Sequence, residues 1–109
     1  MLFVVPFLFG CAGLQRAGPE SAAFAWFRLN APEATRVSVV GTFNEWDPLA
    51  HPLQGPDREG VWSVRLPLPP GRYRYMFVLD GVRWVTDPSA VASEEDGFGG
   101  SNSLLVHGP

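Results

Sequence analysis

Apolar residues recur at every second position through four successive short segments, and this period constrains the fold more than any other feature of the chain. Ala25, Phe27 and Leu29 share one face of a segment that ends at Asn30-Ala31-Pro32. Val37 and Val39 alternate with Ser38 up to Gly41. Trp62, Val64, Leu66 and Leu68 alternate with Ser63, Arg65 and Pro67, and Tyr73, Tyr75, Phe77 and Leu79 with Arg72, Arg74, Met76 and Val78. Side chains two apart lie on one face of a strand, so the pattern predicts antiparallel strands with one face on a core. Pro69-Pro70-Gly71 turns the third segment into the fourth, Asp80-Gly81 is a hairpin signal, and Leu104-Leu105-Val106 reads as a final strand. No helical period is sustained over about ten residues. The expected fold class is all-β: a small β-sandwich of about seven short antiparallel strands.

At 109 residues the chain holds one domain, and its 12 glycines and 11 prolines, scattered without a period, exclude collagen and supply turns. Only 17% of residues are charged against 46% hydrophobic, which excludes a disordered chain. A net charge of -3 gives no attraction to nucleic acid or to anionic lipid. The single cysteine, Cys11, forms neither an internal disulfide nor a cysteine zinc cage, and no metal or cofactor pattern is present. His51 and His107 have no neighbouring nucleophile or ligand pattern, and His51 reads as a surface loop residue. The carboxylate pairs Glu45/Asp47 and Asp80/Asp87 sit in turns, and Glu94-Glu95-Asp96 reads as a solvated loop. No enzymatic constellation emerges.

The turns carry a resemblance. Gly41-Thr42-Phe43-Asn44-Glu45-Trp46-Asp47 is similar to the G-S/T-F-N-x-W signature of family 48 carbohydrate-binding modules, the family of the glycogen-binding domain of the AMP-activated protein kinase β subunit and of the isoamylase N-terminal domain. Leu66-Pro67-Leu68-Pro69-Pro70-Gly71 resembles its L-x-L-P-x-G, and Tyr75 to Gly81 its Y-x-F-x-V-D-G. Trp84 with Asp87-Pro88 resembles W-x-x-D-P, and Asn102 falls at a late asparagine. The resemblance runs from residue 24 to 107. It implies an immunoglobulin-like, early-set sandwich that binds α-1,4-glucan, such as glycogen, starch or maltooligosaccharides, without catalysing a reaction. Any chemistry would come from a separate enzyme or envelope protein as partner.

A glucan is uncharged, with apolar C–H faces and a rim of hydroxyls, so its site needs flat aromatic surfaces and a few placed polar groups. Trp46 lies in a turn-like segment with no strand face to bury it, and Trp84 follows the Asp80-Gly81 hairpin. The resemblance makes both of them ring-stacking residues, Asn102 an amide for hydroxyls, and Phe98 an apolar brace. Taken residue by residue, a packed corner tryptophan or an asparagine bonded to its own turn is the competing assignment. Met76 stands where the family commonly has a hydroxyl-binding lysine, and Arg74, on the same strand face, is the candidate substitute. A sandwich that binds proteins through a degenerate glucan site is the alternative, and Met76 is its argument. Trp62 and Phe43 read as core, while the side of Trp26 is left open.

The N-terminal segment MLFVVPFLFGC is apolar, uncharged and too short to span a bilayer as a helix. Leu8-Phe9-Gly10-Cys11 resembles the lipobox of bacterial lipoproteins. On that resemblance residues 1–10 are a signal peptide, Cys11 is the lipidated residue, 11–21 are its tether and 22–109 are the domain. Phe9 is bulkier than the usual residue and no basic residue precedes the run; a start codon upstream of Met1 would explain the latter. The expected location is the bacterial cell envelope, at the outer membrane through the lipid anchor alone. An N-terminal strand or tail with an inert Cys11 is the other reading, and it leaves the protein in the cytoplasm.

Overall fold

The computed structural model describes residues 23–108. The signal over 1–10, the lipidated Cys11 and the tether over 11–21 lie outside the described residues. Those described form seven antiparallel strands and no helix, in two sheets.

The first sheet pairs β1 (Phe24–Asn30) with β3 (Val61–Pro67). β1 buries every second residue, so Ala25, Phe27 and Leu29 face inward while Phe24, Trp26 and Arg28 face water. Their inward partners across the pair are Leu66, Val64 and Trp62. The second sheet is built on β4 (Gly71–Leu79). Along one edge of β4 runs β2 (Val37–Gly41), from Val37 opposite Leu79 to Gly41 opposite Tyr75. Its other edge is shared in succession. β7 (Ser101–His107) pairs with residues 71–75, and β5 (Arg83–Val85) takes over at Phe77 and ends at Leu79. β6 (Ala92–Glu95) lies outside β7.

Between the sheets Phe27, Phe77, Val37 and Val39 are fully enclosed. Tyr75 meets the rings of Phe27 and Phe77 edge-on at 5.1 and 5.9 Å, the arrangement aromatic quadrupoles favour. Trp62 is core, as its alternation predicts, and its indole N–H donates to the Ala31 carbonyl at 2.9 Å, so burying it leaves no polar group unpaired.

The expected immunoglobulin-like sandwich of about seven strands is the architecture found, with two local differences, in β2 and at Glu94-Glu95. The Pro69-Pro70-Gly71 turn joins β3 to β4 as expected, and it carries the chain from one sheet to the other, since β3 pairs with β1 and β4 with β2, β5 and β7. Two residues without an N–H end the β3 ladder there. All five residues of β2 are buried rather than every second one. Residues 51–53 lie along its free edge, where Val39 N–H donates to His51 O at 3.1 Å and Leu53 N–H to Val37 O at 2.8 Å. Glu94 and Glu95 are not loop; they form β6 with Ala92 and Ser93, an edge strand whose charges discourage pairing with another chain.

Candidate functional site

The segment Gly41 to Asp47 is built to display one ring. A Cβ at Gly41 would stand 2.5 Å from the Arg74 carbonyl oxygen, so only glycine lets the turn press against β4. Phe43 packs on the core and tilts against Phe27 with centroids 5.5 Å apart, which pins the turn from below. Glu45 and Trp46 have φ of 59° and 60°, a left-handed backbone that disfavours side chains by roughly 1–2 kcal/mol per residue. Asn44 holds them there. Its Oδ1 accepts from the N–H groups of Gly41 at 3.0 Å and Trp46 at 3.1 Å. Its Nδ2 donates to the Val39 carbonyl at 3.0 Å and lies 2.9 Å from His51 Nδ1. His51 is therefore a half-buried member of this network, not the free surface residue its sequence neighbours imply.

Trp84 is placed by a different device. Asp80 and Gly81 both have positive φ, of 55° and 78°, the pair a tight hairpin needs to match strand twist. Asp80 Oδ1 accepts from Thr35 N–H at 2.7 Å, Thr35 Oγ1 at 2.8 Å and Arg36 N–H at 3.1 Å. These bonds, those from Thr35 first, hold the carboxyl below the ordinary carboxylate range. Beyond Trp84, Asp87 Oδ2 accepts from the Tyr75 hydroxyl at 2.5 Å while its N–H donates to Ser103 Oγ at 2.7 Å. Burial, then the bond to Asp87, pushes the Tyr75 hydroxyl far up, so it stays a donor. The chain on either side of Trp84 is thereby tied to the segment that leads into β2, to β4 and to β7.

Trp46, Trp84, Asn102, Phe98 and Arg74 all line one open cavity of about 580 Å³ on the outer face of the five-stranded sheet. Met76 lines it with them. Arg74 and Met76 share that face, as a regular strand requires. Trp84 is 44% exposed and Trp46 half-buried. Asn102 stands in β7 opposite Glu94, in a strand and not in the glycine-rich turn before it. That turn belongs to Phe98, which is 93% exposed at its tip. Asp96 Oδ1 shapes the turn by accepting from the N–H groups of Phe98 at 2.7 Å and Gly100 at 3.1 Å. Arg74 Nη1 approaches Glu94 at 3.9 Å, an exposed pair of little stabilising value.

Glu95 and Asp96 also line the cavity and were not singled out by their sequence context. A run of acidic residues next to glycine reads as solvated loop, and only the pairing of β6 with β7 brings it to the site. The cavity thus offers two indole rings and one phenyl ring, an amide, a guanidinium and two carboxylates: apolar faces with a rim of donors and acceptors. The turn carboxylates serve the backbone. Asp47 accepts from Leu49 N–H at 2.9 Å, Asp80 from residues 35 and 36, and Asp87 from Ser89 N–H at 2.8 Å. No group of three metal-ligating side chains is found among the described residues.

The model of the family described as carbohydrate-binding module 48 (isoamylase N-terminal domain) matches residues 13–90. Among curated proteins the chain is similar to 1,4-alpha-glucan branching enzyme GlgB. The enzyme of Ralstonia nicotianae is 38% identical over 91 residues, 77% of this chain and 12% of the relative. That of Pseudomonas syringae pv. syringae is 41% identical over 91 residues, 79% of this chain and 12% of the relative. That of Paraburkholderia xenovorans is 35% identical over 102 residues, 89% of this chain and 14% of the relative. The chain therefore spans about an eighth of the length of these enzymes.

Proposed function

The chain belongs to the carbohydrate-binding module 48 family, and we propose on that premise that it binds α-1,4-glucan in the cavity between Trp46 and Trp84 without catalysing a reaction on it. The observation that carries this reading is convergence. Two tryptophans, one raised by the turn after β2 and one carried by the short strand β5 beyond the Asp80-Gly81 hairpin, each fixed by its own hydrogen-bond network, meet on one sheet face with an amide, a guanidinium and an exposed phenyl ring. Sugar C–H faces would lie on the indoles, and Asn102, Arg74, Glu95 and Asp96 would exchange hydrogen bonds with hydroxyls. The matched relatives are named for 1,4-alpha-glucan, the polymer proposed here.

Met76 lies within the cavity and offers no donor. Each polar contact it forgoes is worth roughly 0.5–1.5 kcal/mol, so binding is weakened and not abolished. Titrating the full chain with maltoheptaose or β-cyclodextrin while following tryptophan fluorescence tests the reading. A saturable change together with retention on amylose resin is expected; neither response would leave the sandwich as an interaction module.

The proposal extends to an envelope location through Cys11 as the lipidated residue after a signal over 1–10, with α-glucan or a glucan-bearing envelope protein held at the membrane surface. Palmitate labelling that is lost in Cys11→Ser is the expected result. Equal labelling of both chains refutes the anchor.

A further inference from the structure

The cavity between the tryptophans is not the only recess on its sheet face. A second, of about 350 Å³, is lined by Val78, Ser38, Leu49, Arg36 and Gly81. The two are neighbours by construction. Arg74, Met76 and Val78 are successive outward positions of β4, each roughly 6.7 Å from the next. The first two line the first cavity and the third lines the second. Ser38, Val78 and Trp84 form one cross-strand row, so Trp84 stands beside the second recess as well as in the first. Trp46 and Leu49 come from the same turn.

We infer that this second recess holds the continuation of a glucan chain whose first part lies on Trp46 and Trp84; the inference rests on the glucan reading of the first cavity. Its chemistry suits the same polymer. Leu49 is 87% exposed and is held in place by its N–H bond to Asp47 Oδ1, which presents an apolar surface for sugar C–H faces. Arg36 supplies the donors. Its Nη2 occupies the space above Gly81, 2.7 Å from where a Cβ would be, so the hairpin glycine makes room for the guanidinium. The Arg36 guanidinium feels the nearby Asp80 carboxylate without forming an ion pair with it, since both ion pairs among the described residues go to Glu94, and its fork keeps donors for hydroxyls. The acidic residues of the first cavity have no counterpart in the lining of the second, so the two ends of the path differ in character: acceptor-rich near Asn102, donor-rich near Arg36.

Dependence on glucan length tests this. Calorimetric titration of the full chain should give maltoheptaose a higher affinity than maltotriose. Arg36→Ala and Leu49→Ser should each lower maltoheptaose affinity roughly three- to tenfold, leave maltotriose affinity unchanged and leave the thermal melt in place. Equal affinities for the two sugars, or variants that keep the full length advantage, overturn the inference while the glucan reading stands. Losses of equal size for both sugars also overturn it, since they would place Arg36 and Leu49 at the first cavity. No saturable binding of either sugar by the unaltered chain overturns both.

Discussion

The two outer faces of the sandwich both display aromatic rings, and they use them differently. On the two-stranded sheet Trp26 is 52% exposed and Phe24 44%, no less open than Trp84 on the other side. Yet the rings of the first pair are occupied. Arg65 lies 4.3 Å over Phe24 and 5.9 Å from Trp26, and Arg28 lies 4.8 Å over Trp26. Among the described residues no cation stacks on Trp46 or Trp84. The first face comes from regular strand alternation, where a ring lies beside its cross-strand neighbour and a guanidinium covers it. On the second, a turn lifts Trp46 and the short strand β5 presents Trp84, whose cross-strand neighbour is the apolar Val78 and not a guanidinium, so both rings border the open cavity. An exposed aromatic is thus a poor guide to a ligand site unless its open face is also free.

The sharpest way to break this comparison is to remove rings from each face. Replacing both Trp46 and Trp84 by alanine should lower glucan affinity roughly a thousandfold, at about 2 kcal/mol for each ring, while Trp26→Ala leaves it unchanged. Titration calorimetry on the three chains decides it, and an equal loss from Trp26→Ala would erase the distinction. Next in size is Asn44→Ala. Removing the carboxamide strips partners from Gly41, Trp46, Val39 and His51 and should destabilise the fold by about 2–3 kcal/mol, with glucan binding falling further than the melt accounts for. Chemical denaturation and titration on the same sample separate the two effects.

A smaller effect of opposite sign is expected for Met76→Lys, which adds an ammonium to the cavity near Glu95 and Asp96. Affinity should rise about two- to tenfold, from roughly 0.5–1.5 kcal/mol of new hydrogen bonding, without a change in the melt. The least effect concerns Asp80, whose hydrogen bonds steady the hairpin bearing Trp84. Its folded carboxyl titrates below the unfolded one, so its contribution is present above the ordinary carboxylate range and is lost as pH falls through the lowered value. Melting curves taken downward from about pH 5 should therefore fall more steeply for the unaltered chain than for Asp80→Asn. The group is fully exposed, and the difference should be small.

What could be read ahead of the structure follows from how local each signal is. The inward faces of β1, β3 and β4 follow from alternation alone, because period two determines which residues share a side. The side of Trp26 is left open because β1 carries aromatic rings on both faces; the structure buries Phe27 and leaves Trp26 in water, opposite Arg65. The turn at Gly41–Asp47 was legible because a glycine, a core phenylalanine, a bridging asparagine and a raised tryptophan are four separate requirements within one short segment. Partnerships between strands were not legible. Nothing near Glu94 announces β7 as its neighbour, and nothing near His51 announces the Asn44 carboxamide. The complete burial of β2 likewise depends on a loop more than ten residues further along the chain.

The succession of β7 and β5 along one edge of β4 has a consequence for how this protein can change. Everything between Val85 and Ser101 leaves that edge and returns to it, so the segment is an excursion from a continuous border. It carries Glu95, Asp96 and Phe98, one whole wall of the site. Insertions or deletions at the tip of residues 96–100 can deepen, flatten or re-aim that wall without moving any pair between β1 and β3 or between β2 and β4. Ligand preference and fold are therefore separately heritable at that tip, and a library confined to residues 96–100 would vary one while leaving the Asp87 bonds to Tyr75 and Ser103 and the β6–β7 pairing in place.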